Sequence, residues 1–271
     1  MLNKLEILQL IDQNKFDEAF ITINNLETND NLVLEDHLTL RLLKSQVLVK
    51  TGKSMEGLKF ANEILMVVQD QVPVNQSLLV DAIITKTEAL RWTERFSTTF
   101  SKKKMSKFLQ LLEQGERILV DISNMEPLEK IKKAAVFQRN KGIIYRSLGE
   151  FDRAEKHLLK SVALYKKAGD TKCEVETLVD LAKTHEFKNE PMSQLKILHK
   201  CLTLYEELED QEGIAEIFLY IAQAYQIKGE PEKATTYVQR SLKISDALPR
   251  TFRIGRLLFK IGLFSQGRRD D

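Results

Sequence analysis

The chain has little of what marks several functional classes. Its two cysteines, Cys173 and Cys201, are too few for the disulfide framework of a small secreted scaffold. Five prolines and 11 glycines among 271 residues leave no low-complexity linker. Apolar runs such as Ile64 to Val68 stop far short of the ~20 residues a membrane-spanning helix needs. Glu6 and Asp12 interrupt the apolar N-terminus, which is wrong for a secretory signal. The charges nearly cancel, 41 basic against 39 acidic, so the basic excess of a nucleic-acid binder is missing. The four histidines, His37, His157, His185 and His199, lack metal-ligand spacing. No phosphate-loop, nucleophile-elbow or dinucleotide-binding glycine pattern occurs. These absences lead to the expectation of a non-catalytic, cofactor-free and metal-free protein of the reducing cytoplasm. Neither nucleic acid nor membrane is an expected partner.

What is present points to helices. Apolar residues make up 43% of the chain and charged residues 30%, with Leu, Lys, Glu, Ile and Ala prominent and β-branched runs few. The stretch 140–159, NKGIIYRSLGEFDRAEKHLL, reads as helix, tight turn, helix. Stepping forward by 40 residues carries Gly142 onto Ala182 and Ala222, and Tyr145 onto His185 and Tyr225. The same step carries Gly149 onto Asn189 and Gly229, Ala154 onto Gln194 and Ala234, and Ser161 onto Cys201 and Ser241. Small positions stay small and apolar positions stay apolar, with no slip of register.

That pattern has a physical reading. Two antiparallel helices approach closely only where a small side chain admits the facing helix, so Gly142 and Ala154 are expected as notches. Gly149 is expected to end its helix in the left-handed conformation. Weaker copies begin at Asn14 (NKFDEA) and at Gly52, where Gly57 and Ala61 take the small positions. A less regular hairpin lies between, with helices expected over 76–96 and 105–122. Its joint leads into the basic run Ser101 to Lys107, which is expected to be a solvated loop. Each hairpin keeps one apolar face that only a neighbour can cover.

The residues Gly142, Tyr145, Gly149, Phe151 and Ala154, repeated as Ala222, Tyr225, Gly229 and Ala234, resemble the tetratricopeptide repeat family. The 40-residue period resembles that family's longer-repeat branch, in which quorum-sensing peptide receptors, kinesin light chains and polarity adaptors are found. The resemblance implies an all-α fold, a right-handed αα-superhelix of about six hairpins plus a C-terminal capping helix. A single domain is expected over 1–271, with units at 1–30, 33–70, 76–122, 128–168, 171–208 and 211–247 and the cap at 250–265. The first hairpin is expected from near residue 2, without the extra N-terminal domain of the peptide receptors.

The resemblance also implies a non-catalytic adaptor or scaffold whose groove, lined by the first helix of each hairpin, takes a segment of a partner protein. Its expected contact residues are Arg139, Asn140, Ile143 and Arg146, then Glu176, Asp180, Lys183 and Glu186, then Glu216, Tyr220 and Gln223. Glu88, Arg91 and Trp92 are added from the irregular hairpin, beside Asp81 and Thr85. Asn140 matches the asparagine with which the longer-repeat adaptors hold a peptide backbone, although Asp180 and Tyr220 break that ladder. A solvated helix face is the plainer reading of each charged member. Two alternatives remain open: a ligand-sensing peptide receptor, and a self-assembling subunit. In the latter the apolar terminal helix, with Ile254, Leu257, Leu258, Ile261 and Phe264, would meet a second copy.

Overall fold

The helix-rich composition is realised throughout the described residues. In the computed structural model the described residues are 4–13, 15–28, 32–70, 75–94, 102–249, 254–255, 257–258 and 261–262, without the side chains of 91–94, 102 and 104. Among them every regular element is a helix. The chain divides into two compact units, Met1–Lys133 and Ala134–Asp271.

The first unit carries α1 (Lys4–Asp12), α2 (Phe16–Glu27), α3 (Leu34–Lys50), α4 (Ser54–Gln69), α5 (Gln76–Glu94) and α6 (Lys102–Asp121), with α1 to α5 each packed on its successor. Its N-terminal core joins Ile7, Ile11, Ala19, Ile23, Leu40, Leu43 and Val47. The small position expected at Gly57 is a true close approach. A Cβ there would lie 2.7 Å from Val49 Cγ2 and 2.9 Å from the Ser45 carbonyl oxygen. Ser45 Oγ in turn donates to the Gly57 carbonyl at 2.6 Å. The basic run departs from expectation. From Lys102 onward it forms the first turns of α6 rather than a loop, because lysine is a good helix former. Residues 95–101 and Asn14 lie outside the described residues.

Helix α7 (Pro127–Ser147) begins in the first unit and continues into the second. There it is followed by α8 (Phe151–Lys167), α9 (Thr171–Phe187), α10 (Pro191–Glu207), α11 (Gln211–Ile227) and α12 (Pro231–Ala247). All five are 17 residues long and each is separated from the next by three. The 40-residue period is therefore two beats of 20. Left-handed residues mark every beat: Gly149, Gly169, Asn189, Glu209 and Gly229. At each joint the amide of the residue that follows donates back across the turn. Glu150, Asp170, Glu190, Asp210 and Glu230 reach the carbonyls of Tyr145, Tyr165, His185, Tyr205 and Tyr225 at 2.9 to 3.1 Å. An aromatic ring, a left-handed residue and an acid thus recur every 20 residues.

The notch at Gly142 is tight. A Cβ would stand 2.6 Å from Leu158 Cγ and 3.1 Å from the Ala154 carbonyl oxygen. Two serines tie second helices to first ones, Ser161 Oγ to the Ala135 carbonyl at 2.8 Å and Ser241 Oγ to the Ala215 carbonyl at 2.7 Å. Cys201 fills the equivalent slot between them and is fully buried. At the far end Ile254, Leu257 and Ile261 are buried against Ala215 and Leu219 of the same chain. Those three side chains meet the last hairpin of their own chain, as expected of a cap; the alternative had them meeting a second copy. Phe264 lies outside the described residues.

Candidate functional site

The first helices of the second unit, α7, α9 and α11, carry most of the expected contact residues at positions one period apart. The structure links these positions directly. Arg139 Nε donates to Asp180 Oδ2 at 2.8 Å and its Nη1 to Glu176 Oε2 at 2.8 Å. Arg146 Nη1 donates to the Asp180 main-chain oxygen at 2.7 Å. One step on, Lys183 Nζ sits 4.8 Å from the centre of the Tyr220 ring, a cation–π geometry. Tyr220 Oη donates to Glu216 Oε1 at 2.9 Å. The three first helices therefore share one continuous polar seam.

The electrostatics of this seam differ from the expectation of charges free for a partner. Burial alone would lower the Arg139 pKa, but the Asp180 and Glu176 carboxylates overcome that and hold it well above its ordinary value. A guanidinium shared by two carboxylates, with Asp180 itself buried, makes a fixed brace between neighbouring helices. Ile143 and Tyr220, expected on the wall, belong to the core cluster with Leu158, Leu178, Leu198 and Ile217. Glu176, Lys183, Glu186, Glu216 and Gln223 are half-buried, and the Arg146 side chain is only 12% exposed.

Two amides on these helices have unmet hydrogen-bonding capacity. Asn140 is 2% exposed and its Nδ2 finds no acceptor, and the Oε1 of Gln223 finds no donor. Buried polar atoms are nearly always paired, so each is a local anomaly. The brace was missed in the sequence, though a signal existed. Arg139 and its carboxylates are 37 and 41 residues apart, one period minus three and plus one. Opposite charges at those offsets face one another across adjacent first helices.

The candidates of the irregular hairpin belong to the first unit. Asp81 pairs with Lys133, and Thr85 Oγ1 accepts from Gln46 at 3.2 Å. Glu88 is half-buried, while the side chains of Arg91 and Trp92 lie outside the described residues. Burial, the main cause, pushes both cysteine thiols up to about 12, which leaves them unreactive near neutrality. Among the described residues no three His, Cys, Asp or Glu side chains gather as metal ligands, and no helix is long and apolar enough to cross a membrane.

A family model described as tetratricopeptide repeat matches residues 137–168. No curated protein matches the chain in sequence. Among solved structures the fold is similar to that of BtubC from P. vanneervenii, with TM-score 0.61, 16% identity, and coverage of 88% of this chain and 93% of that one. It is similar to a thermophilic tetratricopeptide-repeat protein of Thermus thermophilus, with TM-score 0.59, 16% identity, and coverage of 81% and 97%. A Rap protein complexed with Competence and Sporulation Factor is similar at TM-score 0.66 and 11% identity, covering 98% of this chain and 74% of that one. At such identities the likeness is one of fold. Twelve described helices packed in sequential hairpins give this chain a tetratricopeptide-repeat-like fold, with one repeat of that family matched at 137–168.

Proposed function

We propose that the polar seam of α7, α9 and α11 docks an extended segment of another polypeptide, without chemistry on it. The observation that carries this reading is the pair of unmet amide atoms, the Asn140 Nδ2 donor and the Gln223 Oε1 acceptor. A peptide main chain offers one acceptor and one donor per residue, which is what these two atoms need. The half-buried Lys183, Glu186 and Glu216 on the same set of first helices would read the charge of the segment's side chains. Tetratricopeptide-type repeats are generally non-catalytic, which agrees with a binding role.

The test is affinity capture from an extract of the source cell with the wild-type chain and with Asn140→Ala plus Gln223→Ala. The variant is expected to lose the partner while retaining the wild-type circular dichroism. A partner held equally by both forms would remove the groove from the account. A second reading, a receptor for a short free peptide, draws support from the fold likeness to the Rap protein with its bound factor. It predicts that the captured species is a free peptide rather than a segment of a larger protein.

A further inference from the structure

The last hairpin holds a cleft that shares no side chain with the polar seam. It lies between the first turns of α11 and the last turns of α12, with a volume of about 450 Å³. Phe218, Ile244, Ala247 and Leu248 form its apolar lining, and Arg240 and Lys243 stand on it as exposed cations. Among the described residues no carboxylate lines it. Arg240 is seated over the Tyr237 ring at 5.2 Å and is exposed. The acids nearest in sequence, Asp210, Glu212 and Asp246, make interactions of their own.

The preceding hairpin shows which group suits a cation in this place. There Lys200, one period before Arg240, pairs with Glu174 Oε1 at 3.2 Å. One period on, Glu174 becomes Ile214, so the last hairpin keeps the cation and turns its internal carboxylate into an apolar side chain. An apolar floor with two cations, and no anion among the described residues, complements an apolar side chain next to a carboxylate. The volume suits an anchoring side chain and its neighbour.

We propose that this cleft is a second docking site, and that it takes an acidic-apolar segment of a partner polypeptide in which Phe or Leu alternates with Asp or Glu. The site is independent of the polar seam, so either can fail without the other.

Fluorescence anisotropy with labelled octapeptides tests it, using a Phe-Asp-Leu-Glu core, a Phe-Lys-Leu-Lys core and a Ser-Asp-Ser-Glu core. The full chain should bind the first saturably and the other two at least about tenfold more weakly. Arg240→Glu plus Lys243→Glu, both at exposed positions, should lose the first probe and gain the lysine probe. Ala247→Trp, which fills the cleft, should weaken binding of the acidic probe. Arg146→Glu, in the seam, should leave that binding unchanged. The proposal is overturned if the acidic probe fails to saturate by about 1 mM, or if it binds the charge-reversed chain equally well. A self-association seen by sedimentation velocity and abolished by the reversal would also overturn it, since a second copy would then occupy the cleft.

Discussion

Gln194 is fully buried in α10, and neither its Nε2 nor its Oε1 has a hydrogen-bond partner. It occupies the position held by Ala154 and Ala234 in the neighbouring hairpins. A buried polar group left unpaired costs about 1–3 kcal/mol, because its hydration is lost and nothing replaces it. Methionine has nearly the same length and volume and carries no obligate donor or acceptor, so the packing change should stay below about 1.5 kcal/mol. Gln194→Met is therefore expected to stabilise the chain by about 1–2 kcal/mol. In a repeat array that gain acts through one hairpin and its two neighbours. Urea unfolding followed by far-UV circular dichroism should show the midpoint rising by roughly 0.5–1 M. Gln194→Glu, which buries a charge in the same place, should lower it. A Met variant with an unchanged or lower midpoint would mean that the amide is satisfied in solution, and the reasoning from its orphaned atoms would fail.

Gly142→Ala should destabilise, since its Cβ would meet Leu158 Cγ at 2.6 Å. The overpacking cost of about 1–3 kcal/mol outweighs the ~1 kcal/mol helix-propensity gain, and a higher melting temperature would contradict the notch. Arg139→Leu leaves the buried Asp180 carboxylate without its main partner and should cost about 3 kcal/mol. Arg139→Leu plus Asp180→Leu should recover most of that loss, and a double variant as unstable as the single one would refute the brace. Glu190 is held below its ordinary value of 4.5, chiefly by its hydrogen bond with His185, and Glu230 by hydrogen bonds from Lys228 and Lys233. A lowered folded pKa contributes stability that is present above the ordinary value and is lost as pH falls through the folded one. Thermal melts below about pH 4.5 should therefore fall less steeply for Glu190→Gln plus Glu230→Gln than for the wild type, and equal slopes would count against these contacts.

The period, the notch at Gly142 and the helix end at Gly149 were legible because each rests on a residue type with few substitutes. The beat of 20 was not read. Its marks change identity from turn to turn, with Glu209 standing in the left-handed position that glycine fills at 149 and 229. Such a residue is tolerated at a cost of about 1–2 kcal/mol and gives no sequence signal. The wall was read less well than the frame. Ten of the 17 residues of α9 are buried, against three of 17 in α12. A helix covered on several sides has no single polar stripe, so residues such as Ile143 and Tyr220 could not be assigned a side from periodicity alone.

The equal joints have a consequence for how such a chain changes length. Asp170 and Asp210 each follow a left-handed residue, cap the next helix through the amide three residues on, and stand 40 positions apart. Excising 171–210 would bring Gln211 directly after Asp170 and rebuild the same junction, and duplicating that stretch would do likewise. The second unit can thus gain or lose a whole hairpin in frame without inventing a new turn, which gives this architecture a ready path to homologues of different reach.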